Sequence, residues 1–422
     1  MKLKNRLSIL GIISMIQVGV FAQQSPIQFY RPNNADGLNT FETTKEDTVD
    51  FEGVKVRLGG DFAMQFQGLN QENTADNLVD LGANFNLPSA NLNIDVQLLD
   101  GVQMHLRTYL SSRHHYEAWI KGGHVQFDKL DFIKPGFMDQ LMKRTSIRIG
   151  LDEFNYGDAH FRRSDNARAI FNPFVGNYIM DAFSTEVFGE VTVQEQGFLG
   201  VLGLTNGKLN QSVVVDEDTD NQPSFYGKLG YDKSFSDDFR VRLTGSWYIN
   251  QGITSGTWLY GGDRAGSRYY DVLHTTDGDG GNFDGRFNPR FRKITAFQVN
   301  PFIKFKGLEL FGIYEIADGS HELMPSVNEG QFTQMAAEIL YRFGKEESMY
   351  VAGRFNEVTG SMTDQATQSS NISRMNFGGG WFVSKNILLK LEYVKQSYHG
   401  SWGGRLNGAQ FEGVVGEAVI SF

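Results

Sequence analysis

The run Asp277-Gly278-Asp279-Gly280-Gly281-Asn282-Phe283-Asp284-Gly285 has the most metal-like spacing in this sequence. An EF-hand loop needs Gly at its sixth position, for a sharp turn, and a bidentate Glu at its twelfth. Counted from Asp277, those positions are Asn282 and Asn288, so the run reads as a flexible acidic loop. His114-His115, beside Arg113 and Glu117, offers two imidazoles on a tight turn. Adjacent histidines rarely converge on one zinc without further ligands. Cysteine is missing from all 422 residues, which excludes disulfides, thiolate metal sites, a cysteine nucleophile and an N-terminal lipoprotein anchor. No Gly-x-Ser-x-Gly elbow presents a serine, and no carboxylate pair is set apart as an acid of raised pKa. The expectation is a chain that is not an enzyme, with no catalytic residue, cofactor or metal. With 39 Lys+Arg against 49 Asp+Glu and a net charge of −10, it also lacks the basic balance of a nucleic-acid binder.

The charged groups that remain must be positioned by strands. With 48 Gly, 34 Phe and 16 Tyr but only 9 Pro, the composition suits many strands with tight corners and is poor material for long helices. Segments near the ten or so residues that cross a bilayer as a tilted strand alternate strictly. In 54–67, Val54, Val56, Leu58, Gly60, Phe62, Met64 and Phe66 oppose Lys55, Arg57, Asp61, Gln65 and Gln67. In 238–249, Phe239, Val241, Leu243, Gly245, Trp247 and Ile249 oppose Asp238, Arg240, Arg242, Thr244 and Ser246. The stretches 386–397 and 411–422 repeat the pattern. A soluble sandwich, such as a secreted glycan binder, also alternates. Here one face is dense in charge and the other nearly free of it, as when one meets lipid and the other a wet bore.

Lys2, Lys4 and Arg6 precede an apolar run from Leu7 to Val20, and Val20-Phe21-Ala22 ends on a small residue. Residues 1–22 therefore read as a signal peptide, and no later stretch is apolar enough for a spanning helix, so a membrane form must be a barrel. Residues 23–53 read as a polar, loosely packed periplasmic leader, and 54–422 as an all-β transmembrane antiparallel barrel of about 16 strands. Short turns at 99–101, 194–196, 233–237, 306–307, 344–346 and 384–385 alternate with long loops at 68–90, 152–184, 206–223, 250–293, 317–330, 358–371 and 398–410. Short periplasmic turns and long extracellular loops are the outer-membrane rule. Two joints depart from it: 111–115 is a short outer joint, and 128–144 is a long inner one with Phe137, Leu141 and Met142 at helical spacing.

This ensemble resembles Gram-negative general porins and, more loosely, the phosphate-selective porin family, and the terminal Phe422 resembles the C-terminal barrel signal of outer-membrane proteins. The resemblance implies an outer-membrane pore passing ions and small hydrophilic solutes by passive diffusion, in contact with outer-membrane lipid and lipopolysaccharide. It also implies handling by the barrel-assembly machinery and homotrimerisation. The alternative is an accessory barrel in a larger outer-membrane assembly. In such porins the third outer loop folds inward and narrows the pore. Here that loop is 152–184, and Asp158, His160, Arg162, Arg163, Asp165 and Arg168 would supply a constriction carrying both signs of charge. Lys55, Arg57, Arg107, Arg148, Arg240, Arg242, Arg354 and Lys390 fall on the lumen face of their strands and lean the bore basic, which implies a mild preference for anions. The lysine cluster of the phosphate-selective family is not evident, so phosphate selectivity is not implied.

Overall fold

The computed structural model describes residues 26–46, 49–110, 118–164, 168–209, 213–214, 222–252, 259–262, 269–280, 285–321, 329–363 and 368–422. Residues 1–22, His114-His115, Asp165 and Asn282–Asp284 lie outside them. The strands are β1 Lys55–Glu72, β2 Asn84–Leu99, β3 Val102–Leu110, β4 Trp119–Phe127, β5 Thr145–Glu153, β6 Thr185–Glu195, β7 Phe198–Thr205 and β8 Ser224–Ser236. They continue as β9 Phe239–Asn250, β10 Phe291–Phe305, β11 Leu308–His321, β12 Gly330–Phe343, β13 Met349–Ser361, β14 Ser370–Ser384, β15 Ile387–Gly400 and β16 Gln410–Ser421. Each pairs antiparallel with its sequence neighbours, and β1 pairs with β16 to close a sixteen-stranded barrel. At the seam the backbones of Gly60 and Phe422 exchange two hydrogen bonds of 3.1 Å. A Cβ on Gly60 would come within 2.9 Å of the Phe422 ring, so glycine lets the last residue lie against the first strand.

The alternation sets which face looks where. Val56, Leu243 and Leu391 are 59%, 53% and 63% exposed, whereas Asp61, Arg242 and Glu392 on the other face are 6%, 2% and 1% exposed. An apolar exterior around a polar interior, with every strand edge paired, is the arrangement hydrocarbon permits. Outward aromatics such as Phe239, Phe305, Tyr341 and Trp381 stand near the short-turn end, where headgroups favour them. Opposite charges sit directly across from one another inside: Arg57↔Asp95, Arg148↔Glu190, Glu338↔Arg354 and Lys390↔Glu417. A slip of one residue would send these charges to the lipid, which fixes register. Replacing Leu243 with Arg, near the middle of β9, is expected to cost about 2–4 kcal/mol, read as a lower urea midpoint in lipid vesicles.

The turn Gln196-Gly197, with φ of 52° and 90°, has the two left-handed residues of a tight hairpin. Several strands run further outward than the alternation alone indicates; β1 reaches Glu72 and β2 begins at Asn84, inside the stretch expected as loop 68–90. Ladder pairing continues above the membrane because it needs no lipid. The inner connection 128–144 carries one helical turn, α1 Asp139–Met142, with Met142 buried. No helix among the described residues is long and apolar enough to cross a membrane.

Candidate functional site: the occupied lumen

The segment between β5 and β6 leaves the wall and enters the bore. Its apolar side chains explain why. Tyr156, Ile170, Phe174, Val175, Tyr178, Ile179 and Met180 are all buried, which a solvated outer loop would not allow. The far wall carries a matching apolar seat on its inner face: Phe302 of β10, Phe311 and Ile313 of β11, and Ala336 of β12. Lumen side chains then satisfy the segment's backbone, as burial requires. Asn300 Oδ1 accepts from Asp158 N (2.9 Å), Glu392 Oε2 from Val175 N (2.7 Å), Asn356 Oδ1 from Ile179 N (2.7 Å), and Gln334 Oε1 from Met180 N (2.9 Å). Arg354 donates to Gly176 O (2.8 Å) and Lys390 to Phe174 O (3.0 Å). These two lumen cations therefore hold the segment rather than line open water.

Most of the charges on the segment are likewise held in pairs. Asp158 accepts from Lys228 Nζ and from Arg242 Nε, each at 2.8 Å, with Thr244 as a further donor. Burial would raise its pKa, but the two cations outweigh burial and hold the carboxyl well below the usual range. Arg162 pairs with Glu338 (2.8 Å) and Glu309 (3.6 Å), and Arg163 with Asp181 (2.5 Å). His160 and Arg168 are different: both face an open cavity, Arg168 paired with Glu153 and His160 Nε2 bonded to Asn155 Oδ1 (3.0 Å). Burial pushes the His160 imidazole down to about 4. Among the other lumen residues, Lys55 pairs with Glu52 (3.4 Å), Arg57 lies 4.7 Å from the Tyr30 ring, and Arg240 pairs with Asp232 (2.6 Å).

The chain before β1, expected as a loosely packed leader, is seated in the short-turn end of the barrel. Gln28 bonds Gln97 and Asp100, Asn33 donates to Asp61 (3.0 Å), and Lys45 pairs with Asp128 (2.8 Å). Phe41, 3% exposed, sets its edge on Phe161 and Phe302. Glu42 joins the Asp158 cluster, 2.7 Å from Arg242 and 3.3 Å from Lys228. Burial opposes its ionisation, but Arg242 and Lys228 draw its pKa down to about 2. The signal for this seat is present in Ile27, Phe29, Tyr30 and Phe41, which have no place in a free polar linker. At the other end, the described parts of 251–290 lie over the inward segment: Tyr260 donates to Glu315 (2.8 Å), Tyr269 to Glu392 (2.5 Å), and Phe287 N to Ile179 O (2.7 Å). Asp277 accepts from Thr275 Oγ1 (2.5 Å) in this stretch.

Between the leader, the inward segment and the wall of β2–β6 is a cavity of about 180 Å³. Arg31, Arg107, Arg148 and Arg168 face it together with Glu42, Asp95, Asp152, Glu153 and Glu190, and with His105, His124 and His160. Arg107 lies 3.6 Å from Asp152 and Arg148 lies 3.5 Å from Glu190. Alternation predicts Arg107, Arg148, Asp95 and Glu190 as inward. It misses Asp152 and Glu153, which extend β5 beyond its expected end at 151, and Glu309 and Glu315, which share the inner face of β11 with Phe311 and Ile313.

No family model and no curated protein sequence matches the chain. Solved structures do. In vitro folded OmpT, an outer membrane protein of Vibrio cholerae, superposes with a TM-score of 0.53 at 10% identity, covering 89% of this chain and 99% of that one. The outer membrane channel DcaP of Acinetobacter baumannii superposes with a TM-score of 0.57 at 9% identity, covering 88% and 99%. At such identities the likeness is one of fold, and the fold is the closed barrel of outer-membrane proteins.

Proposed function

We propose that this chain is an outer-membrane channel for passive diffusion of ions and small polar solutes, with segment 152–184 as its constriction. One observation carries the proposal. The segment is bonded to the far wall across the bore, so the charged cavity against β2–β6 is the space left beside it. The printed description of DcaP as a channel supports the same reading. OmpT of Vibrio cholerae has a trimer form, which favours a homotrimer for this chain too.

A mild preference for anions follows from the groups left over. Arg31 Nη1, Arg107 Nη1 and Arg148 Nε are buried without a hydrogen-bond partner, against only Asp95 Oδ2 and Glu153 Oε2 among the carboxylate oxygens facing the cavity. Guanidinium N–H groups without a hydrogen-bond partner favour anions in a narrow site. In planar bilayers under a KCl gradient, the reversal potential is expected on the anion side, and R107Q combined with R148Q is expected to lower the chloride-over-potassium ratio roughly twofold. A cation-side potential for the unaltered chain overturns the preference. A full set of seated segments at both mouths would also suit a sealed accessory barrel, and absence of any single-channel conductance would select that reading.

A further inference from the structure

Both signs of charge around the cavity are left incompletely bonded, and they sit on one wall. On the paired strands β2 and β3, Asn93 faces Arg107 and, two residues along, Asp95 faces His105. Arg107 Nε donates to Asn93 Oδ1 (3.2 Å), and its Nη1, 3.6 Å from Asp152 Oδ1, has no hydrogen-bond partner. Asp95 uses Oδ1 on His105 Nδ1 (2.5 Å) and leaves Oδ2 without one. Arg107 and Asp95 are 6% and 4% exposed. Glu153 Oε2, on a residue 4% exposed, repeats the free acceptor at the inward segment, and Arg31 Nη1 repeats the free donor on the leader.

We infer that this cavity is a binding site for small zwitterions of the α-amino acid class, the carboxylate end on Arg107 and the ammonium end on Asp95. The inference rests on the passage proposed above and names its solute. Two residues of strand separate the Arg107 and Asp95 rows by about 7 Å. A solute whose carboxylate and ammonium are on one carbon, with a hydrogen bond of about 2.8 Å at each end, spans a similar distance. The cavity has room for on the order of six waters or one solute with a comparable number of heavy atoms. A simple anion would leave the two carboxylate oxygens unpartnered and a simple cation would leave the guanidinium nitrogens so. An unmade bond to a buried polar group is costly, and a solute bearing both charges pairs with both signs at once.

Calorimetric titration of the detergent-solubilised barrel with L-alanine, acetate, methylammonium and glucose tests this without requiring current. Expected is saturable heat with L-alanine at a concentration at least tenfold below that needed for acetate or methylammonium, and none with glucose. Both R107Q and D95N are expected to weaken alanine binding about tenfold, and R107K to recover part of the loss. The ligand series on the unaltered barrel stands even where a variant fails to fold. Acetate binding as well as alanine, glucose binding as well as alanine, or no alanine heat at all would each overturn the inference. Alanine binding by a barrel that carries no current sustains the site and removes the channel, whereas current without alanine binding does the reverse.

Discussion

Deleting residues 27–45 is expected to raise single-channel conductance severalfold. The segment lies at the short-turn mouth between two open regions of about 700 and 710 Å³, lined respectively by Asp36, Lys304 and Lys345 and by Lys45, Asp100 and Lys129. It also forms one side of the narrower cavity of about 180 Å³. Removing it joins these spaces, and conductance follows the narrowest cross-section. The barrel itself is expected to survive, because its ladder is complete without the leader. An unchanged conductance would show that current does not pass the leader at all. A milder version uses pH. Glu42 has a folded pKa of about 2, below its ordinary 4.5, so its anchorage is whole above about 4.5 and is lost as pH falls through about 2. The leader therefore stays seated at pH 5, and any acid-induced rise in conductance through Glu42 belongs between those limits. E42Q is expected to bring the open state to neutral pH.

The second large effect is at Asp158. D158N keeps the shape of the side chain but removes the charge shared by Lys228 and Arg242, whose side chains are 0% and 2% exposed. Breaking a buried ion pair by removing one partner costs about 3–5 kcal/mol, because the orphaned charge stays desolvated. Glu42 remains beside both cations and sets the loss toward the lower end. The measurement is the urea midpoint in vesicles, with open-channel current noise as a second reading of how firmly the inward segment is held. Adding E42Q, K228M and R242M to D158N is expected to restore most of the loss, since replacing a whole buried ion cluster with neutral groups is often neutral in stability. A midpoint shifted by less than about 1 kcal/mol would mean that the cluster is wetted and contributes as a surface pair does.

Strand order, closure and facing were legible because lipid on one side and polar bore on the other impose a period of two, as Val56 and Leu58 flanking Arg57 illustrate. The partners of the inward groups were not legible. Alternation puts Arg354 and Lys390 inside but says nothing of the carbonyls of Gly176 and Phe174 that they serve. Phe302, Phe311 and Ile313 break the polar inner face because a second layer of chain covers them, and a pattern tuned to a wet bore has no term for that layer. The leader was obscure for the same reason: Phe41 is apolar for the sake of Phe161 and Phe302, which are 120 and more positions away.

The seam between β1 and β16 has a consequence for how the molecule is made. The ladder from Asp61↔Ser421 to Glu72↔Gln410 joins the earliest strand to the last, so the contact of greatest sequence separation is also the one that removes the final pair of open edges. Closure must wait for the whole polypeptide, and loop-closure entropy makes such a long-range pairing slow. Until then two strands offer unsatisfied amides to any passing chain. Shortening the C-terminus by a few residues is thus a kinetic hazard more than a loss of contacts, because it prolongs an aggregation-prone intermediate.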